Sequence, residues 1–540
     1  MPHLTGAAPA PAAPRPVLLL LYALLLAAPL LIGLGNGPLY DVDEGAFSSA
    51  TREMLASGDF GHTTMNGAPR FDKPIAVYWL QAASVALLGL NEWALRLPSA
   101  LCTWLAALAA AGFVAARRGT AAGALTGLML VTAFGPWAMA RAATADALLN
   151  LCLLLTALDL WRHLEGGQRA PLRRAALWVA LGLLTKGPIA LLVPAAALGL
   201  WALSRRDFAA LRRALSDGIA WLLLIAVAAP WYVYALQRHG MAFVEGFILK
   251  HNVNRFSGPM EGHGGSLLYY LLVVPLVWLP WTPLWLGLAR RVRALWADAE
   301  ARFWLCWAGF VIVFFSLSGT KLPHYSLYAG PGILMLTALA LPTGQEPRRA
   351  LRIALWAALM VLVGGLAVVP WLLQSGAVAI RNPLYAALLQ GAPAPTALLW
   401  AGGVLTVLTG LLAAAPGAFK LPGFAGNQGF VPRFAAAVWL AAVAHGLVAA
   451  PWLGEALQGP IKRTAEFARS LGAPQTVQPP ITQWNAHWPS VGVYMRQPVP
   501  QGEPPVGGLA FTRTDRLRAQ PPVTVLREER GVALVRRDGP

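Results

Sequence analysis

The stretch DVDEGAFSSATREM (residues 41–54) follows directly on the first long apolar run of the chain and opens with three carboxylates, Asp41, Asp43 and Glu44. The 540 residues hold only 24 acidic side chains, against 42 lysines and arginines, so three together need a reason. Locally, two readings fit. AFSSATREML is a sound helix start, and carboxylates at its head would cap and charge the N-terminus. Alternatively the carboxylates face a reaction. The choice turns on where the stretch lies relative to a membrane.

The composition is that of a membrane protein. Hydrophobic residues make up 57% of the chain and charged residues 12%, where a soluble domain carries about 25% charged residues. Apolar runs long enough to span a bilayer recur almost to residue 453. The net charge of +18 sits largely in arginines grouped in short loops between these runs. That pattern marks cytoplasmic loops and speaks against nucleic acid as a partner. Cys102, Cys152 and Cys306 all lie in apolar runs and read as small core residues, with no disulfide framework or metal motif. The first run, 17–34, reads as an anchor. It is long for a signal peptide, has only Arg15 before it and no A-x-A site after it.

Charge then sets the topology. The basic groups at 117–118, 169–174, 205–213, 290–302, 348–352 and, weakly, 420–433 should share one side. For that to hold, 73–90 must lie along the interface rather than cross it. For the same reason the TKGP segment (185–188) must divide the apolar stretch between Arg174 and Arg205 into two short helices, with Lys186 at the outer turn. The expected crossings are 17–36, 97–116, 120–140, 144–161, 175–185, 187–203, 218–236, 266–288, 303–318, 326–341, 353–374, 396–415 and 434–453, about thirteen in all. The N-terminus would be cytoplasmic and the C-terminus external. Three regions follow: a disordered cytoplasmic tail (1–15), a transmembrane body (16–453) with a first external loop at 39–98, and a polar α/β domain (454–540). In the last, a helix at 455–470 precedes short strands at 491–495 (VGVYM), 507–511, 523–527 and 532–536. No catalytic motif stands out in it.

In this topology the ionisable residues crowd onto the external face, where they are functional candidates. Asp146 heads an apolar span, with Lys186 as a plausible partner on a neighbouring turn. Lys73 and Arg255 could snorkel to the interface, or together hold a dianionic phosphate through a point charge and a planar fork. Tyr325 fits an aromatic belt or a site. Asp72 and His251 offer two ligands to a divalent metal, or a local salt bridge, which is the simpler role.

DVDEGAFSSATREMLASGDF followed by PRFDKPIAVYW resembles the first external loop of bacterial lipid A aminoarabinose transferases, which belong with the protein O-mannosyltransferases among membrane glycosyltransferases of the GT-C fold. The Asp-Glu pair (Asp43, Glu44), the R-E-M-L-x-S-G-D run (52–59), the Lys-Pro pair (Lys73, Pro74), TKGP, NRF (254–256) and KLPHY (321–325) stand in the family's order over roughly residues 15–345. The resemblance implies a polytopic α-helical GT-C fold in a bacterial inner membrane, with a small C-terminal periplasmic α/β domain. It implies a sugar donor on a polyprenyl phosphate, undecaprenyl phosphate in a bacterium, and an acceptor such as lipid A at the periplasmic face, with inversion at the anomeric carbon. Asp43, Glu44 and Asp146 become the candidate catalytic carboxylates. Lys73, Lys186, Arg255, Tyr325 and Lys321 become the candidate substrate-binding residues. Asp41 has no counterpart in the family and reads as a loop residue. Two features depart from the family pattern: GAFSS follows the Asp-Glu pair where a bulky polar residue is common, and Asp72 replaces a glutamate before Lys-Pro. Two other functions remain open on the sequence. FDKP in place of an HPP-type pattern disfavours transfer to protein Ser/Thr, and the lack of an internal repeat disfavours a transporter of lipid-linked sugars.

Overall fold

A computed structural model describes residues 16–258, 264–341, 347–414, 429–472, 480–519 and 522–539. The tail 1–15 and Lys420 of the weakest basic group lie outside these residues. Six helices are long and apolar enough to cross a bilayer: Glu92–Arg118, Asp146–Gly166, Gly218–His239, Ala299–Leu317, Arg349–Gln374 and Phe430–Ser470. Two bent pairs would raise the number to eight: Thr120–Thr132 with Phe134–Ala140, and Tyr269–Val277 with Thr282–Ala289, bent by 64° and 112°. Length and composition thus give six to eight spans among the described residues, where charge counting expects about thirteen. The difference lies in short apolar pieces. Pro16–Leu31, Ala76–Leu88, Ile189–Arg205 and Thr396–Leu411 each fall below a full span. At 1.5 Å per residue, Ala76–Leu88 reaches only about 20 Å, short of a core of about 30 Å. The chain is a multi-pass helical membrane protein.

The bends are locally encoded and mutually satisfied. Pro280 and Pro283 interrupt the helix pattern after Val277. The backbone N–H of Phe134, freed at the first bend, donates to the Leu279 carbonyl at the second (3.0 Å), and the Trp281 indole donates to Thr132 Oγ1 (3.1 Å). The TKGP break lies where the sequence puts it: one helix ends at Lys186, Gly187 turns at φ +79°, and the next helix starts at Ile189.

The end of the chain departs from expectation in two ways. The helix at 455–470 is not separate. Phe430–Ala444, a wide turn at His445–Ala449 and Ala450–Ser470 run as one 41-residue helix, so the last span carries the C-terminal domain on its own extension. And VGVYM is a helix, Ser490–Met495, not a strand. Every residue in it is buried, and it packs on the first-loop helix Asp43–Ser57 rather than joining the sheet. The sheet instead takes in Ile481–Gln483. Its order is Ile481–Gln483, Leu509–Arg513, Val532–Arg537, Val523–Glu529, with the first pair parallel and the others antiparallel.

Helix Ser490–Met495 docks the domain onto the opening stretch of the first loop. Asp41 accepts from the Ser490 backbone N–H (2.8 Å) and from its hydroxyl. Leu39 N–H donates to the Tyr494 hydroxyl (2.8 Å). The approach is close enough to require glycine on both sides. A Cβ on Gly45 would lie 2.5 Å from Ser490 N, and one on Gly492 would lie 2.7 Å from Ser49 Oγ. The small residues of GAFSS are therefore the footprint of the domain, and Asp41 is its anchor rather than a free loop residue.

Candidate active site

The carboxylates that open the first loop divide by burial. Asp43 is the first residue of helix Asp43–Ser57, is exposed, and is held by no hydrogen bond or ion pair among the described residues. Glu44, one residue on, is 2% exposed. Arg96 donates to both its oxygens, Nε to Oε1 at 2.9 Å and Nη2 to Oε2 at 2.8 Å. The backbone N–H groups of Ala143 (2.6 Å) and Tyr40 (2.9 Å) complete the shell. Glu44, expected among the catalytic carboxylates, thus has its lone pairs spent on tying the first loop to helix Glu92–Arg118 and to the turn before Asp146.

Around Asp43 the chain assembles cations. Asp43 lies within electrostatic reach of Arg70, His324 and Tyr325. Lys73 in turn feels Lys186, Arg255 and Arg70. It is half-buried, donates to the Asp72 carbonyl (3.0 Å), and touches no carboxylate among the described residues. Burial, reinforced by Lys186, Arg255 and Arg70 and opposed by Asp72, pushes its ammonium down to about 7. Arg255 donates to the Tyr325 hydroxyl (3.3 Å). The 318–320 segment backs it, with Gly319 N–H on the Phe256 carbonyl (2.7 Å) and Thr320 N–H on the Arg255 carbonyl (3.2 Å). NRF and KLPHY, far apart in sequence, meet here.

Asp146 and Lys186 form the buried pair that the sequence suggests, at 2.6 Å. Tyr328 donates to the same Asp146 oxygen (2.8 Å), and His324 stands 3.9 Å from it. The Lys186 ammonium also lies over the rings of Tyr325 and Tyr328, 5.5 and 5.4 Å from their centroids. Lys186 is thereby fixed in place rather than left to follow solvent.

Two expected residues play other parts. The Lys321 ammonium turns back to the Ser318 carbonyl (2.6 Å) within its own loop and does not join the cations. Asp72 and His251 do meet, at 2.6 Å, but Arg70 takes the other Asp72 oxygen at 2.9 Å. Among the described residues the two join a hydrogen-bonded network with Arg70, and no group of three or more metal-type ligands gathers there. Burial opposes the Asp72 charge, but the His251 hydrogen bond, Arg70 and Lys73 hold the carboxyl well below the usual range. Arg70 and His324 belong to the site although the sequence did not single them out. The available signal was spacing, since Arg70 stands three residues before Lys73 and His324 beside Tyr325.

Residues 72–234 match the family model described as dolichyl-phosphate-mannose-protein mannosyltransferase. The undecaprenyl phosphate-alpha-4-amino-4-deoxy-L-arabinose arabinosyl transferase of Erwinia tasmaniensis is 29% identical over 384 residues, 68% of this chain and 67% of that protein. The first such enzyme of Sodalis glossinidius is 31% identical over 366 residues, 63% of each chain. The chain thus spans roughly two thirds of the length of these curated relatives. Among solved structures, ArnT from Cupriavidus metallidurans bound to undecaprenyl phosphate superposes with a TM-score of 0.77 at 21% identity, over 96% of this chain and 98% of that one. The chain is similar in sequence to these arabinosyl transferases and shares the fold of ArnT. In this ArnT-like protein the segment matched by the family model carries Lys73, Asp146 and Lys186, while Asp43, Arg255 and Tyr325 fall outside it. The fold extends the likeness over nearly the whole chain, C-terminal sheet domain included.

Proposed function

We propose that the protein moves a sugar from undecaprenyl phosphate to lipid A or a kindred envelope acceptor at the periplasmic face of a bacterial inner membrane. The observation that carries this reading is the gathering of Lys73, Lys186, Arg255 and Arg70 beside an open carboxylate, Asp43. The names of the relatives, arabinosyl transferases of undecaprenyl phosphate-linked 4-amino-4-deoxy-L-arabinose, support the donor, and the acceptor class rests on the first-loop resemblance. The expected orientation, N-terminus inside and C-terminal domain outside, over about thirteen crossings, rests on the distribution of Lys and Arg.

In this mechanism Lys73 and Arg255 hold the donor phosphate. The acceptor oxygen attacks the anomeric carbon from the opposite face as the carbon–oxygen bond to phosphate breaks. The bonding pair leaves with the polyprenyl phosphate, where Lys73 and Arg255 stabilise the growing negative charge. The configuration inverts. With a hydroxyl acceptor, Asp43 takes the proton as general base. With a phosphate acceptor, already an anion, it orients the sugar and stabilises the positive charge developing on it. Asp146, through Lys186 and Tyr328, shapes the floor of the site. The test is a lipid A mass spectrum from a host lacking its own aminoarabinose transferase. An added sugar mass with this chain, absent with Asp43→Asn, supports the reading. No added mass, with the protein present in the membrane, removes lipid A as the acceptor.

A further inference from the structure

A cleft of about 800 Å3 lies between the C-terminal domain and the helix Pro383–Gln390, with Asp41 and Val42 of the first loop in its lining. One wall is Tyr385, 45% exposed, on the short helix Pro383–Gln390. Trp484 and Trp488, which follow the first strand of the sheet and are themselves largely buried, also line the cleft. The lining includes amides, Gln458, Asn485 and Gln501. Asn485 is exposed and held at φ +54°, which turns the chain outward at this point.

The charge of this cleft is unlike that of the active site. Its arginine, Arg513, is matched by Asp515 at 2.7 Å, and its glutamate, Glu503, by Arg537 at 2.8 Å. Asp41 is engaged by Ser490. Among the described residues the cleft offers a phosphate no unmatched arginine or lysine, and its His487 meets Gln501. It offers the exposed ring of Tyr385, backed by the buried Trp484 and Trp488, and amides that both donate and accept. Those are the groups that match a pyranose, with its apolar C–H face and its rim of hydroxyls. A peptide strand is a poorer fit, because the adjacent sheet edge is closed. Gln483 N–H donates to the Pro500 carbonyl (2.9 Å), and Gly502 N–H to the Gln483 carbonyl (3.1 Å).

We propose that this cleft is a saccharide-binding site, which seats an uncharged sugar segment of the acceptor beside the Asp43 loop. Val42 lines the cleft, and the next residue, Asp43, opens the catalytic helix. The two Cα atoms are about 3.8 Å apart. A glycan held in the cleft would therefore lie against the loop that presents Asp43. The C-terminal domain, which carries no catalytic group, gains the task of choosing the acceptor. The inference rests on the proposed function only for the word acceptor; saccharide binding itself stands apart from the chemistry.

The test is saturation-transfer NMR on the full-length protein in detergent, with three neutral disaccharides as probes: N,N′-diacetylchitobiose, maltose and cellobiose. Binding of undecaprenyl phosphate is measured on the same samples. The expected result is transfer to the ring protons of at least one disaccharide in the wild type and equally in Asp43→Asn. Tyr385→Ala should weaken that binding by about fivefold or more, and Tyr385→Phe should restore it. Tyr385 is exposed, so its loss does not endanger the fold. No transfer from any probe, or equal transfer in Tyr385→Ala, would overturn the proposal. So would displacement of the sugars' place by a Ser/Thr-containing peptide that binds where no disaccharide does. If undecaprenyl phosphate binds while the disaccharides do not, the cleft proposal alone fails. If the disaccharides bind and undecaprenyl phosphate does not, the cleft proposal stands and the donor reading fails.

Discussion

Arg96 grips Glu44 through two parallel hydrogen bonds, and its remaining N–H groups reach the carbonyls of Leu34, Gly37 and Pro38. One guanidinium thus joins the end of the first apolar segment to the helix that bears Asp43. Arg96→Ala leaves a buried carboxylate without its cation and should cost about 3–5 kcal/mol. Glu44→Gln keeps some of the hydrogen bonds and should cost about 1–3 kcal/mol. Thermal unfolding of the purified proteins checks this. Activity per folded molecule should change far less in Glu44→Gln than in Asp43→Asn, because Glu44 is buried against Arg96 while Asp43 is exposed.

Asp43→Asn should show the reverse pattern. The side chain is exposed and supports nothing, so the melting temperature should match the wild type. Transfer with a hydroxyl acceptor should fall by at least about 100-fold. Steady-state transfer rates beside a melting curve separate the two effects. A destabilised Asp43→Asn protein would assign Asp43 a structural task instead.

Lys73 gives donor binding a pH dependence. With its ammonium pushed down to about 7 by burial and neighbouring cations, the free protein loses this charge as pH rises through neutrality. A bound phosphate favours the protonated lysine, so affinity for undecaprenyl phosphate should fall between about pH 7.5 and 9.5, by at most tenfold per unit. That range lies above the second ionisation of a phosphate monoester, near about 6. Lys73→Arg should flatten the profile. A flat profile in the wild type would remove Lys73 from the phosphate site.

How much of this was legible in the sequence follows from the kind of interaction involved. The Asp146–Lys186 pair and the TKGP break could be read because a charge in an apolar run and a Gly-Pro pair each constrain the chain locally. The meeting of Arg255 with Tyr325 was reachable only through the family resemblance, since nothing in either segment names the other. Glu44 was misjudged for the opposite reason. It adjoins Asp43 in the chain, but successive helix residues point about 100° apart, so one faces solvent and the other Arg96. VGVYM has a strand's composition, and only its packing against Ser49 and the residues around Asp41 makes it a helix. Charge counting expects about thirteen crossings and length with composition gives six to eight among the described residues, because several apolar pieces are short or bent and a hydropathy test on length passes over them.

Asp41 should govern docking of the C-terminal domain. Asp41→Ala strands the buried Ser490 donors and should cost about 1–3 kcal/mol, seen as faster amide exchange across residues 490–495. Burial, opposed by the Ser490 hydrogen bonds, pushes the Asp41 carboxyl from its ordinary 3.8 up to about 7. A raised carboxyl pKa means that the docked form holds the proton more tightly. Its contribution is full below the ordinary value and is lost as pH rises through about 7. Docking should therefore loosen from acid to alkaline conditions, and Asp41→Asn should abolish that dependence.

The most direct test of the whole account is a structure of the protein with undecaprenyl phosphate bound. The account predicts the phosphate within hydrogen-bond reach of Lys73 and Arg255, with the prenyl chain running into the bundle and Asp43 facing the open side. A phosphate seated away from Lys73 and Arg255, with those side chains unchanged, would contradict it.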